Sequence, residues 1–179
     1  MVYVFLADGF EIIEALSPVD MMRRAGIEVK TVGVTGAVVE SSCNVKVTAD
    51  ILPEDVDIDS AQAVVIPGGM PGVTNLEKSD FVKNSVLKAA ENNKLVCAIC
   101  AGPSLLGKLG LLNGKKAIAY PGFEQYLEGA EISSDYVVKD GNFITARGAG
   151  VSVDFGLEIV AALKGREASD KVRTSIQCR

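Results

Sequence analysis

LVCAICAGPSLLG, residues 95–107, joins a run of apolar residues to a helical pattern through a turn of small residues. Cys100 stands at the junction, in the order strand, nucleophile, helix that is typical of the G-x-S-x-G elbow. At the start of a helix, free N–H groups and the positive end of the helix dipole favour the thiolate form of a cysteine. The stretch therefore predicts a reactive thiol on an α/β fold, and the alternative is a buried structural cysteine.

The composition indicates one globular domain over residues 1–179. Of these residues 48% are hydrophobic and 23% are charged, which is ordinary for a globular protein. A net charge of −5, with no run of Lys or Arg, argues against a nucleic-acid surface. The apolar residues 2–7 are too short for a membrane span or a secretory signal. We therefore expect a cytoplasmic protein without nucleic-acid or membrane partners.

The rest of the chain alternates apolar strands with helical patterns. Continuous apolar strands between helices are typical of a mostly parallel sheet that is covered on both faces. We therefore predict a three-layer, flavodoxin-like α/β sandwich with a mostly parallel sheet. Two hairpins add to this order, at 38–48 and at 136–146, and the second turns at Asp140-Gly141. The predicted strands are 2–6, 27–34, 63–67, 95–99 and 116–120, and the predicted helices are 11–25, 79–92, 101–109 and 151–165.

Three loops at the carboxyl ends of predicted strands carry distinctive residues. They are residues 8–14 after the first strand, the turn PGGMPG at 67–72, and Cys100 after the strand at 95–99. Ligand sites of such folds lie outside the carboxyl ends of the strands. We therefore expect the three loops to converge on one site.

Glu14 is the candidate acid of this site. The helical pattern puts it on the face of its apolar neighbours, and Pro18, which has no N–H, deprives the Glu14 carbonyl of its helical partner. A break in the helix at Pro18 would tilt its first turn and aim Glu14 into the site. The alternative is a solvated surface carboxylate, which is the interpretation that we favour for Glu11.

Cys97 and Cys100 form a C-x-x-C spacing, which suggests a redox pair. If Cys97 lies in an extended strand, the two Cα atoms are about 10 Å apart, beyond the reach of a disulfide. We therefore predict that Cys97 packs in the core. The chain contains no histidine, and Cys43 and Cys178 are far away in sequence, so no metal site is predicted.

Four stretches together resemble the ThiJ/PfpI superfamily, DJ-one-like branch: ADGFEIIEALSPVDMMRRAGI, PGGMPG, AICAGPSLL and GNFITARGAGVSVDFGLEIVAAL. The resemblance implies a flavodoxin-like fold of the class I glutamine amidotransferase-like type, a homodimer and a reactive Cys100 beside the acid Glu14. The backbone N–H groups of Gly69 and Ala101 would then bind an oxyanion. The implied activity is that of a glutathione-independent glyoxalase or deglycase on small 2-oxoaldehydes. The alternative is an oxidative-stress sensor or chaperone that uses oxidation of Cys100 without turnover. No cofactor is expected.

Two positions depart from the pattern of that superfamily. Ala101 stands where the protease-like branch has a histidine, which disfavours peptidase activity. Tyr120 precedes Pro121 where the DJ-one-like branch often has a histidine. Tyr120 can donate a hydrogen bond but is a poor base at neutral pH, so it is either an accessory group or a packing aromatic.

Without histidine, activation of Cys100 must come from the helix end and from Glu14. A thiolate beside a carboxylate is a like-charge pair that titrates in coupled steps, with one proton between the two groups. We predict a depressed pKa for Cys100 and a protonated Glu14 that donates a hydrogen bond to the thiolate.

The dimer interface is predicted near the end of the first helix. Met21 and Met22 stand beside Arg23 and Arg24, and two exposed methionines would be costly. Arg24 is therefore an interface candidate. The alternative packs both methionines inside and leaves the arginines solvated.

Overall fold

The structure is a computed structural model that describes residues 1–178. In chain order its strands are β1 (Val2–Leu6), β2 (Val29–Gly33), β3 (Val38–Glu40), β4 (Lys46–Thr48), β5 (Ala63–Ile66), β6 (Leu95–Ile99), β7 (Lys116–Ala117), β8 (Glu131–Ile132), β9 (Val137–Asp140) and β10 (Phe143–Ala146). Its helices are α1 (Ile12–Arg24), α2 (Gly72–Lys78), α3 (Asp80–Glu91), α4 (Pro103–Lys108), α5 (Ser152–Lys164) and α6 (Arg166–Ser175).

Six strands form the central sheet, in the order β2-β1-β5-β6-β10-β9. All neighbours pair in parallel except β9, which pairs antiparallel with β10. Every residue of β1, β5 and β6 is buried, because these inner strands are covered on both faces. The prediction of a mostly parallel α/β sheet is therefore confirmed.

Each face of the sheet has its own apolar core, so the molecule has three layers. Helices α1, α5 and α6 pack on one face and contribute Met22, Phe155 and Val172 to its core. Helices α2, α3 and α4 pack on the other face and contribute Leu76 and Leu105, among others. No helix within residues 1–178 is long and apolar enough to cross a membrane.

Both predicted hairpins are confirmed, at β3–β4 and at β9–β10. The predicted strand 116–120 is much shorter than expected. Its first two residues, β7, pair with β8 outside the main sheet. The next N–H, that of Ile118, donates to the Thr145 hydroxyl at 3.0 Å instead of to another backbone.

Two helices were not predicted from the sequence. Helix α2 follows PGGMPG directly, where the glycines and prolines masked the helical pattern. Helix α6 reads REASDKVRTS, and its buried residues are Ser169 and Val172. The helical pattern is present, because Ala168, Val172 and Ile176 recur every four residues and pack against one core, but it lies beyond the last element that the sequence analysis assigned.

The predicted break in α1 at Pro18 is wrong, since the helix runs through that residue to Arg24. Glu14 lies in the first turn of this continuous helix, on the side that faces the interior, so no break is needed to bury it. Glu11 is the N-cap of α1, and its Oε2 accepts the Glu14 N–H at 2.8 Å. Glu11 therefore caps the helix and is more than a solvated carboxylate.

Candidate active site

Cys100 lies on a strained elbow between β6 and α4. Its φ angle is +64°, in the left-handed region that non-glycine residues rarely adopt. The elbow is held by two backbone hydrogen bonds: the Cys100 N–H donates to the Ala146 carbonyl, and the Cys100 carbonyl accepts the Tyr120 N–H, both at 2.9 Å. Helix α4 begins at Pro103 and not at residue 101. Cys100 therefore lies before the helix, and its side chain is half-buried.

Glu14 is completely buried, with 0% of its surface exposed. Its Oε2 accepts the Gly68 N–H at 2.9 Å. Its Oε1 is also buried but has no hydrogen-bond partner among the described residues. An unsatisfied buried oxygen costs on the order of 1–3 kcal/mol, so such a group in a native fold calls for a functional explanation.

Gly68, in the loop after β5, brings the acid and the thiol together. A Cβ at this position would lie 2.6 Å from the Cβ of Cys100 and would overlap Oε2 of Glu14. Only glycine leaves room for both side chains. Sequence analysis singled out the neighbouring Gly69 but missed Gly68, although both lie in the PGGMPG turn.

The pKa of Glu14 is raised from its ordinary value of 4.5 to about 7, chiefly because burial disfavours the charged form. The nearby Glu11 carboxylate acts in the same direction. The Cys100 thiol and the N–H groups of Gly68 and Ala149 lower the pKa of Glu14, but by less than burial raises it. The sequence analysis therefore predicted the correct direction for the pKa shift of Glu14, but the main cause is burial rather than a neighbouring thiolate.

The pKa of the Cys100 thiol shifts in the opposite direction to the one predicted from the sequence. The pKa of Cys100 is raised to about 12, chiefly because burial disfavours the thiolate and further because of the Glu14 carboxylate. The N–H groups of Ala101 and Gly69 act in the opposite direction but do not offset it. The prediction of a depressed thiol pKa is therefore wrong for Cys100 beside an ionised Glu14. When Glu14 holds the proton, its charge no longer opposes the thiolate.

Near neutral pH, the arrangement thus pairs a half-ionised carboxylate with a protonated thiol. A base works best when its pKa is close to the working pH. Glu14 meets that condition, and its unpartnered Oε1 leaves it free to accept a proton. The arrangement can remove the proton of Cys100 as its sulfur attacks an electrophile.

A surface cavity of about 400 Å³ lies beside the elbow, in the size range of small-molecule sites. Tyr120 lines it and is half-exposed. The cavity also borders Ala149, whose N–H acts on Glu14, and Arg147, which the sequence analysis did not single out. Neither Glu14 nor Cys100 belongs to its wall, so the cavity adjoins the acid and the thiol without containing them.

The remaining cysteines lie apart from this arrangement. Cys97 is fully buried in β6, as predicted for a core residue, and burial raises its pKa well above the ordinary value. Cys43 is exposed and Cys178 is half-buried. Across residues 1–178, no cluster of three or more His, Cys, Asp or Glu side chains could hold a metal ion.

The structure removes one argument for the predicted dimer interface. Met21 and Met22 are 4% and 0% exposed within a single chain, so they need no partner to cover them. Arg24 remains near the surface, where its Nε contacts Asp20 at 2.8 Å. Both methionines therefore pack inside, as in the alternative, and the homodimer with Arg24 near its interface stays a prediction.

A cysteine on a strand–helix elbow, with a buried carboxylic acid beside it, defines a class of cysteine-centred α/β proteins. The chain belongs to the DJ-1/PfpI family, whose family model matches residues 1–162. It is 40% identical to the Parkinson disease protein 7 homolog of Danio rerio, over 97% of this chain and 94% of that protein. The resemblance drawn from the sequence is therefore confirmed.

Solved structures and longer relatives agree with this assignment. Toxoplasma gondii DJ-1, in a structure described as oxidized, superposes with a TM-score of 0.95 at 32% identity, covering 99% of this chain and 97% of that one. Protein DJ-1 homolog B of Arabidopsis thaliana is 38% identical over 93% of this chain. The chain spans 38% and 46% of the length of Arabidopsis DJ-1 homologs B and A, so it matches less than half of each.

Proposed function

We propose that the protein is a cysteine-dependent enzyme that converts small 2-oxoaldehydes, such as methylglyoxal, to 2-hydroxy acids without glutathione. A deglycase would act on the adducts of such aldehydes: the adduct would first release its amine or thiol to regenerate the aldehyde, to which Cys100 would then add in the same way. The observation that carries the proposal is the buried, unpartnered Oε1 of Glu14 beside Cys100. Membership of the DJ-1/PfpI family supports it.

The first step is addition of the thiol to the aldehyde. Glu14 removes the Sγ–H proton of Cys100 while the sulfur bonds to the aldehyde carbon, which becomes a hemithioacetal. The N–H groups of Gly69 and Ala101, which act on the sulfur in the free protein, would stabilise the oxyanion. Glu14 then returns its proton to that oxygen, so charge is balanced.

The second step is an internal redox change that needs no external oxidant. Glu14 removes the hydrogen of the former aldehyde carbon as a proton and delivers it to the neighbouring carbonyl carbon. The hydroxyl proton moves between the two oxygens at the same time, and a thioester of the 2-hydroxy acid results. Water then hydrolyses the thioester, which releases the acid and restores the Cys100 thiol. Tyr120, which lines the adjacent cavity, is an accessory hydrogen-bond donor in this proposal.

The test is turnover of methylglyoxal by the purified protein without glutathione, with the 2-hydroxy acid detected by NMR. Cys100→Ser is expected to reduce the rate to that of the solution without protein. Cys43→Ser is the matched control, because Cys43 is exposed and not part of the site. We expect kcat/KM to rise with pH through about 7, as Glu14 ionises. Turnover that survives Cys100→Ser would overturn the proposal.

A second function has one specific observation in its favour, namely that a close structural relative is described as oxidized. Two equivalents of peroxide would convert the Cys100 thiol to a sulfinate and release two molecules of water. The N–H groups of Gly69 and Ala101 could hold its oxygens. A sensor would show this oxidation by mass spectrometry but no aldehyde turnover in the reduced state. Oxidation of the exposed Cys43 before Cys100 would count against the sensor.

A further inference from the structure

We propose that Arg147 selects substrates that carry an anionic group, such as a 2-oxoaldehyde with a phosphate or carboxylate at the far end of its carbon chain. The inference rests on the proposed function, because it assigns the distal part of the substrate to the cavity beside the elbow. Arg147 would bind that group while the aldehyde carbon lies at Cys100.

The position of Arg147 connects the cavity to the reactive pair. It directly follows β10, whose last residue, Ala146, accepts the hydrogen bond from the Cys100 N–H. Two residues after Arg147 comes Ala149, whose N–H acts on the Glu14 carboxyl. Residues 146–149 therefore contact the backbone of Cys100 and the carboxyl group of Glu14, and they also form part of the cavity wall. A ligand in the cavity would lie next to both reacting groups.

The guanidinium of Arg147 is held in place but is not neutralised. It lies 5.3 Å from the centre of the Tyr136 ring, within the range of a cation–π contact. The Arg147 N–H also donates to the Tyr136 carbonyl at 2.9 Å. Within residues 1–178, Arg147 has no carboxylate within ion-pair distance. Its charge and planar fork remain available for an anion.

The other residues of the cavity wall add no competing charge. They are Tyr120, Pro121, Tyr136, Gly148, Ala149, Gly150 and Val151. Among the residues that line the cavity, Arg147 therefore carries the charge, and it is positive in a chain whose net charge is −5. A half-buried cation in an otherwise uncharged, partly aromatic cavity favours a small anion with an apolar segment.

The size of the cavity supports a substrate larger than methylglyoxal. About 400 Å³ falls in the range of drug-sized ligand sites, and because Cys100 lies outside the cavity wall, a three-carbon aldehyde at Cys100 would leave the cavity unfilled. A chain that extends from the aldehyde to Arg147 would use that space. The anionic group would then provide binding energy at a distance from the reacting carbon.

The test compares methylglyoxal with a probe, the 2-oxoaldehyde that carries a phosphate ester on its third carbon. We expect the ratio of kcat/KM for the probe to that for methylglyoxal to fall about 10- to 100-fold in Arg147→Met, the loss of a charge-assisted hydrogen bond. Arg147→Lys keeps the charge and is expected to restore part of the ratio. If Arg147→Met does not fold, Arg147→Gln provides the same comparison. An unchanged ratio would overturn the inference.

A binding measurement separates this inference from the proposed function. Calorimetric titration of Cys100→Ser with the phosphate probe reports affinity where no turnover is possible. We expect the Kd to rise about 10- to 100-fold when Arg147→Met is added. If the native protein turns over neither aldehyde but the Kd depends on Arg147, the proposed function fails and the anion site stands. A Kd that does not depend on Arg147 overturns the anion site, whatever the turnover.

Discussion

Helix α1 takes part in two carboxylate sites, one at each end, and they are built in opposite ways. At its first turn, Glu14 is fully buried: its Oε2 accepts the Gly68 N–H at 2.9 Å, and its Oε1 has no partner of hydrogen-bond geometry among the described residues. At its last turn, the Nη2 of Arg23 contacts Asp50 at 2.6 Å. Asp50 Oδ2 also accepts the N–H and the hydroxyl of Thr31, at 2.8 and 3.0 Å.

The pKa directions follow from that difference. Burial raises the pKa of Glu14 to about 7, and its few donors do not offset the effect. Burial also raises the pKa of Asp50, but Thr31 and Arg23 outweigh it and hold that pKa below the ordinary value. The comparison teaches that a partly exposed carboxylate with several donors is structural, whereas a fully buried carboxylate with few donors is poised to exchange a proton near neutral pH.

The largest effect is expected from Glu14→Gln. The amide keeps the shape of the side chain but cannot accept the thiol proton, so methylglyoxal turnover should fall about 10²- to 10⁴-fold. Glu158→Gln is the matched control, because Glu158 pairs with Arg166 and does not act on the Glu14 carboxyl. Steady-state kinetics on both variants tests the comparison, and equal losses would show that Glu14 has no special role as a base.

The next effect is on stability as a function of pH. The Glu14 pKa is 4.5 when unfolded and about 7 when folded, a difference that corresponds to about 3 kcal/mol. Below the lower value both states are protonated and nothing is lost. As pH rises through about 7, the folded protein should therefore lose up to that amount.

Urea unfolding of the native protein and of Glu14→Gln, from acid to neutral pH, measures this loss. The amide variant does not titrate, so it should become the more stable of the two as pH rises. Parallel stability curves would contradict the burial argument for Glu14.

Asp50→Ala should destabilise the fold by about 2 kcal/mol at neutral pH, since it removes charge-assisted hydrogen bonds. The stability contribution of Asp50 changes with pH in the opposite direction to that of Glu14. A carboxylate with a lowered pKa contributes stability above its unfolded pKa of 3.8, and that contribution is lost as pH falls. The gap between the native protein and Asp50→Ala should therefore narrow in acid.

The control for Asp50 is Asp59→Ala, because Asp59 makes an exposed ion pair with Lys88 and its side chain is 70% exposed. Such pairs contribute about 0–1 kcal/mol. Thermal unfolding of both variants gives the comparison. If Asp59→Ala costs as much as Asp50→Ala, the hydrogen bonds to Thr31 are not the source of stability.

The smallest effect on folding is expected from Arg24→Ala, because the Arg24–Asp20 pair is exposed and contributes at most about 1 kcal/mol. The Arg24→Ala variant is useful mainly as a test of the predicted homodimer. We predict a homodimer with Arg24 near the interface, so the variant should dissociate at higher protein concentration than the native chain. Light scattering over a dilution series measures this, with Lys171→Ala, which breaks another exposed pair, as the control. A native chain that is monomeric at micromolar concentration would remove the claim.

Local patterns in the sequence were enough to predict most of the fold and to single out Cys100, whereas they left two interpretations of Glu14 open and only the family resemblance placed it beside the thiol. Apolar runs predicted β1, β5 and β6, because strands buried on both faces need no polar alternation. The Asp140-Gly141 pair predicted the β9–β10 hairpin. Small residues around Cys100 predicted the elbow. Each of these signals depends on residues that are near one another in the chain.

Tertiary structure decided everything that depends on residues far apart in sequence. Glu14, Gly68 and Cys100 meet because β1, β5 and β6 are neighbours in the sheet, and only that meeting leaves Oε1 of Glu14 without a partner. The same burial raises the pKa of Cys100, against the sequence prediction. Packing of α1 on α5 and the sheet buries Met21 and Met22 without a second copy. The reason is physical: desolvation and hydrogen-bond satisfaction depend on what surrounds a group in space, which no local pattern records.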